Sequence, residues 1–160
     1  MRAFVLIGML LLAGAAHAAT PTSTADRAIY LAAGFTWSNG AWRSDCGDPG
    51  TLSYQGGTIE RIGDLNGDGR PEVLVTEGGT YCYGNTGGAF WLLAGQPGGK
   101  WKLMLQSTGM AMPLKTRGVA RWPDISIGGP GFCFAVMRWN GRAYVRNRFE
   151  YQGRRCRPPS

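Results

Sequence analysis

The sequence is poor in histidine and in long helix-forming runs, and it has no closely spaced cysteine pair. Its only histidine is His17, inside the first 18 residues. If that stretch is a removable leader, the remaining chain has none. This excludes Ser-His-Asp and Cys-His catalysis, and zinc or iron held by histidine. Enzymatic chemistry would have to run on carboxylates, tyrosines or lysines. Without a Cys-x-x-Cys pair, a cysteine zinc site is disfavoured too. No segment beyond the leader is long and apolar enough to cross a bilayer. In place of helical periodicity the chain has 26 glycines and six each of Trp, Tyr and Phe. That mixture implies short strands and many tight turns.

Arg2, the apolar run from Ala3 to Leu12, and Ala16-His17-Ala18 together form a secretory leader pattern at 1–18. The competing reading is an N-terminal membrane anchor. A lipid anchor would need a cysteine just after the apolar run, but the first is Cys46. Cleavage would leave residues 19–160 as a single β-rich domain, exported to the periplasm or secreted. Cys46, Cys82, Cys133 and Cys156 then form two disulfides in an oxidising compartment, with three pairings open. Without Arg2, 16 basic residues face 10 acidic ones, a formal net charge of +6. Such a chain suits anionic polymers, lipid head groups or acidic proteins as partners, and export argues against nucleic acid.

Thr22 or Ser23 is placed to cap a short helix that runs to about Ala33, with Gly34 just past its end. The rest reads as strands. Asn39-Gly40 and Asn140-Gly141 are hairpin signals, because both residue types tolerate positive φ. Gln96-Pro-Gly-Gly-Lys100 separates a third strand pair. Two longer units also match. Arg70-Pro-Glu-Val-Leu-Val, Gly78-Gly79 and Tyr81-Cys82-Tyr83 correspond to Trp122-Pro-Asp-Ile-Ser-Ile, Gly128-Gly129 and Phe132-Cys133-Phe134. The offset is 52 residues at Glu72/Asp124 and 51 at the cysteines. The aromatic-Cys-aromatic segments are expected to be strands. A repeat of this length resembles propeller blades. The resemblance implies that equivalent cysteines lie close, favouring Cys82–Cys133 and Cys46–Cys156. The expected fold is all-β, small and propeller-like or built of stacked hairpins, with one short N-terminal helix.

The sharpest motif is Asp64-Leu-Asn66-Gly-Asp68-Gly69-Arg70-Pro71-Glu72, a D-x-N-x-D-G-x-x-E pattern. Alternate oxygen side chains on a tightly coiled loop suit calcium, a hard cation that takes six to eight oxygens. Asp64, Asn66 and Asp68 would bind by side chain, Arg70 by its carbonyl, and Glu72 directly or through water. An EF-hand would need a glutamate where Val75 stands and a helix after the loop, whereas Val73-Leu-Val75 continues as a strand. The loop resembles the calcium loops of FG-GAP/VCBS repeats in integrin-type β-propellers, which usually end in Asp where this chain has Glu72. The second unit has Thr116, Gly118 and Ala120 at the ligand positions, so one calcium site is expected, with a structural role. Residues 19–160, with Gly-Asp-Leu-Asn-Gly-Asp-Gly-Arg-Pro-Glu, Cys-Tyr-Gly-Asn-Thr-Gly and Gly-Gly-Pro-Gly-Phe-Cys-Phe, also resemble uncharacterised exported proteins of Gram-negative bacteria. Small propeller-like proteins with such loops resemble envelope inhibitors and immunity proteins against cell-wall hydrolases.

With Asn140-Gly141 as a two-residue turn, Trp139 faces Arg142. Phe132, Phe134, Val136, Ala143, Val145 and Phe149 then face the core. Trp139, Arg142, Tyr144, Arg146 and Arg148 form an outward aromatic–arginine face suited to a partner. The expectation is an exported, calcium-binding, non-enzymatic envelope protein whose partner is an envelope protein or an anionic cell-wall polymer. An inhibitor or immunity-type partner of a cell-wall hydrolase falls within that expectation. One alternative is a carbohydrate- or polymer-binding module using Trp37, Trp42, Trp91, Trp101 or Trp139 as stacking platforms. The other is a hydrolase working with two of Asp45, Asp48, Glu60, Glu77, Asp124 and Glu150, Glu77 foremost.

Overall fold

The computed structural model describes residues 22–158, so the leader lies outside the described residues. Ser23 caps helix α1 (Thr24–Ala32) by accepting a bond from the Asp26 amide at 3.0 Å, and Gly34 follows its end with φ +85°. Ile29 and Tyr30 form the buried stripe of this helix. Strands β1 (Thr36–Ser38) and β2 (Ala41–Arg43) pair across Asn39-Gly40, both at positive φ, as the dipeptide predicts.

Two antiparallel meanders make up the remainder. The first sheet is β3 (Gln55–Gly63), β4 (Glu72–Gly78), β5 (Gly88–Gln96) and β6 (Lys100–Thr108), in chain order. The second is β7 (Met110–Arg117), β8 (Pro123–Gly128), β9 (Phe134–Trp139), β10 (Tyr144–Tyr151) and β11 (Arg154–Arg155), also in chain order. The fold is therefore all-β with a short N-terminal helix. Among the described residues no helix is long and apolar enough to cross a membrane.

Strand β5 lies at the centre and is buried on both faces. Ala89, Trp91 and Leu93 pack with Val73 and Val75 under α1 and the β1–β2 hairpin. Phe90, Leu92 and Ala94 pack with Leu74 against Trp122, Ile125, Trp139 and Tyr144 of the second sheet. Each of the larger apolar side chains among these, removed from water, contributes ~2 kcal/mol before ordering costs.

The structure corrects the sequence reading in three places. Tyr81-Cys82-Tyr83 is not a strand; it lies in helix α2 (Thr80–Tyr83), and Cys133 sits at φ +64° just before β9. The disulfides are Cys46–Cys82 and Cys133–Cys156, not Cys82–Cys133 and Cys46–Cys156. Equivalent points on face-packed sheets lie ~10 Å apart. A disulfide needs Cα atoms much closer than that, and both observed bridges have 5.7 Å. The last hairpin also differs. Asn140 accepts the Arg142 and Ala143 amides at 2.8 and 2.9 Å, which widens the turn and sets Trp139 opposite Tyr144.

Candidate functional site

The loop between β3 and β4 is organised by its own acidic side chains. Asp64 accepts the amides of Gly67 (2.7 Å), Asp68 (3.2 Å) and Gly69 (2.8 Å). Asn66 accepts the Asp68 amide at 3.0 Å and donates to the Asp68 carboxylate at 3.2 Å. Asp68 accepts the Arg70 amide at 2.9 Å and pairs with the Arg70 guanidinium. Gly67 and Gly69 adopt φ +79° and +83°, which a glycine permits without strain. The second sheet reaches across: Arg117 donates to the Leu65 carbonyl at 2.7 Å.

Glu72 begins β4 and is fully buried. One of its oxygens accepts the Leu65 amide at 2.7 Å, and the other, Oε1, has no partner. Burial pushes its pKa up to about 7, and Asp68 and Asp64 add to the rise by repulsion. The donor set of Asp64, Asn66, Asp68, the Arg70 carbonyl and Glu72 is all oxygen, which suits a hard cation. The orphaned Oε1 is the atom such an ion would satisfy. Among the described residues, however, no three acidic, histidine or cysteine side chains converge in a metal-holding cluster.

The second sheet answers the same problem differently. Asp124 stands where Glu72 stands in the first unit and is equally buried. Arg138 grips it through Nε (2.9 Å) and Nη2 (2.8 Å), Arg148 through Nη1 (2.6 Å), and Thr116 donates at 2.6 Å. Burial raises its pKa, but these donors outweigh burial and hold the group well below the usual carboxylate range. Thr116 occupies the position matching Asp64. Where the first unit has a carboxylate the second has a hydroxyl donor, and two guanidinium groups supply positive charge to the buried acid.

Glu77 is another buried carboxylate. It accepts the Ser44 amide (3.0 Å), the Ser44 hydroxyl, the Tyr54 hydroxyl (2.6 Å) and the Tyr83 hydroxyl. Burial, then the bond to Glu77, raises the pKa of both tyrosines. Both oxygens of this carboxylate are thus engaged by donors within the fold. Glu77 and Glu60 line a cleft of about 380 Å³ between the two sheets. Asp48 caps its loop through Gly50 and Thr51, and Glu150 pairs with Arg148.

The sequence-predicted partner face is split. Trp139 and Tyr144 are buried in the core and Arg148 is engaged with Asp124 and Glu150, leaving Arg142 and Arg146 exposed. The Trp139–Tyr144 face points inward, the reverse of the expectation, because it meets Trp122 and the first sheet. A bulge at Asn147 then puts Arg148 opposite Val136 on the other face. Among the tryptophans considered as platforms, Trp42, Trp91 and Trp139 are buried, whereas Trp37 is 51% exposed. Sequence reasoning missed Ser44, Tyr54 and Tyr83 around Glu77, and Thr116 and Arg138 around Asp124. Most of these partners come from distant parts of the chain, so no local motif marks them. Compared with known proteins, the chain matches no family model and has no significant match among curated proteins or solved structures.

Proposed function

We propose that this is an exported, calcium-braced, non-enzymatic binding module of the cell envelope, with a loop akin to those of FG-GAP/VCBS repeats. The observation that supports it best is the buried Glu72 with its orphaned Oε1, at the position where the second sheet provides Asp124 with two arginines. The first sheet supplies no such internal cation to Glu72, and the loop beside it is rich in oxygen donors. Calcium there would draw Asp68 away from Arg70, satisfy Glu72 and remove the repulsion among Asp64, Asp68 and Glu72. The ion would pin the loop to β4, which makes its role structural.

The partner is an envelope protein, a cell-wall hydrolase being one candidate, or an anionic cell-wall polymer. The non-enzymatic reading draws support from the full engagement of Glu77, Asp48 and Asp124 by hydrogen-bond donors. The two disulfides suit an oxidising compartment.

The test is a thermal melt of the oxidised protein in calcium, in magnesium and in chelator, with Asp64→Asn/Asp68→Asn and Glu72→Gln alongside. A calcium-specific rise of several degrees, lost in both variants, is the expected result. An unchanged melting temperature in calcium would reduce the loop to a self-bonded turn and remove the main support for the reading.

A further inference from the structure

Charge is distributed very unevenly along this chain. Residues 138–157 hold seven arginines and one acid, Glu150, a formal +6, while residues 3–137 hold nine basic and nine acidic side chains. The whole excess therefore lies on β9's last turn, β10, β11 and the segment just after. Arg138 and Arg148 are engaged with Asp124 and Glu150. Among the described residues, Arg142, Arg146, Arg154, Arg155 and Arg157 form no ion pair. Arg155 and Arg157 flank Cys156 and, with Asn147 and Arg148, line an open concavity of about 480 Å³.

Exposed aromatic side chains stand at the same end. Tyr151 meets Phe132 edge-on with centroids 6.2 Å apart and lies 6.1 Å from Phe134. Phe132 is 58% exposed and Tyr151 41%. Tyr151 pairs with Arg154 across the β10–β11 hairpin, and the Cys133–Cys156 bridge fastens the aromatic segment to the arginine segment. Large aromatic rings left in water beside unpaired guanidinium groups are otherwise unexplained by the packing of the fold.

We propose that this disulfide-tied arginine–aromatic end docks the protein onto a membrane surface rich in anionic phospholipid, without spanning it. The guanidinium fork donates to phosphate oxygens in pairs, and every basic residue in the segment is arginine rather than lysine. Phenylalanine and tyrosine rings are stable at head-group depth, where an apolar body and a wet edge are both accommodated. A soluble polyanion would use the same charge but would gain little from an exposed Phe132. The inference does not depend on the calcium reading, since no residue of the 64–72 loop takes part.

The test is co-sedimentation of the full oxidised protein, at fixed calcium, with vesicles of phosphatidylglycerol plus phosphatidylcholine or of phosphatidylcholine alone. The expected result is binding to the anionic vesicles only, weakening as salt rises. Each arginine near such a surface is worth roughly fivefold, so Arg154→Ala/Arg155→Ala/Arg157→Ala should weaken binding about a hundredfold. Phe132→Ser/Tyr151→Ser, on exposed positions, should weaken it several-fold at physiological salt with an unchanged melting temperature. Absence of anionic-vesicle binding, or wild-type binding by the arginine variant, would overturn the proposal. So would wild-type binding by the aromatic variant together with complete competition by inorganic polyphosphate, which would assign the arginines to a soluble polyanion.

Discussion

Two buried carboxylates at matching positions respond to pH in opposite directions. Glu72 titrates at about 7 in the fold, because burial and then Asp68 and Asp64 disfavour its charge. An unfolded glutamate titrates near ~4.3. Proton binding therefore favours the folded state. Its contribution is fully present below the unfolded value and is lost as pH rises through about 7. In chelator, the melting temperature should fall across that window, and Glu72→Gln should flatten the fall, as a pH series of melts would show. Asp124, held low by its arginines and Thr116, contributes stability above the ordinary carboxylate range and loses it only in acid. The D-x-N-x-D-G-x-x-E pattern was readable because its members are neighbours in sequence. The partners of Asp124 and Glu77 were not, since those contacts exist only after the sheets form.

At the level of elements, the helix cap at Ser23, the β1–β2 hairpin and the strand after the acidic loop all follow from short-range rules. The same Asn-Gly dipeptide produced two different turns, however. At Asn39 the backbone adopts positive φ, whereas at Asn140 the side chain takes the Arg142 and Ala143 amides and extends the loop. The choice is made by the strands beyond, where Trp139 and Tyr144 gain burial against Trp122. Inside and outside were reversed for the same reason: alternation defines two faces but does not say which one meets the core. Gly118, at the position matching Asn66, shows how tightly the second unit packs where the first has its acidic loop. A methyl group there would stand 2.3 Å from the Trp139 carbonyl oxygen. Its φ of −98° suits any residue, so the cost of Gly118→Ala is steric. That variant should lose ~2–3 kcal/mol in chemical denaturation.

For the whole molecule, the bridges act locally. Cys46–Cys82 spans 36 residues and Cys133–Cys156 spans 23, each staying beside one sheet. Closing the larger loop should restrict the unfolded chain by ~3–4 kcal/mol. Cys46→Ser/Cys82→Ser should therefore reduce unfolding free energy by about that amount while leaving the second sheet's bridge intact, as denaturant titration with thiol counting would establish. The all-β class and the succession of hairpins were legible from glycine turns and aromatic strands. The cysteine pairing was not, because sequence similarity between two units says nothing about how far apart stacking holds them.

The two sheets are joined by a single residue. Gly109 sits between β6 and β7 at φ +120°, donating to the Gly88 carbonyl at 2.9 Å, with the Gly128 carbonyl too close to admit a side chain. The two meanders thus form one ribbon creased once. Parity is carried across that crease without slack. One extra residue there would exchange the inward and outward faces of everything after it. The inward face that buries Trp139 and Tyr144 of the second sheet is in this sense set by the same glycine.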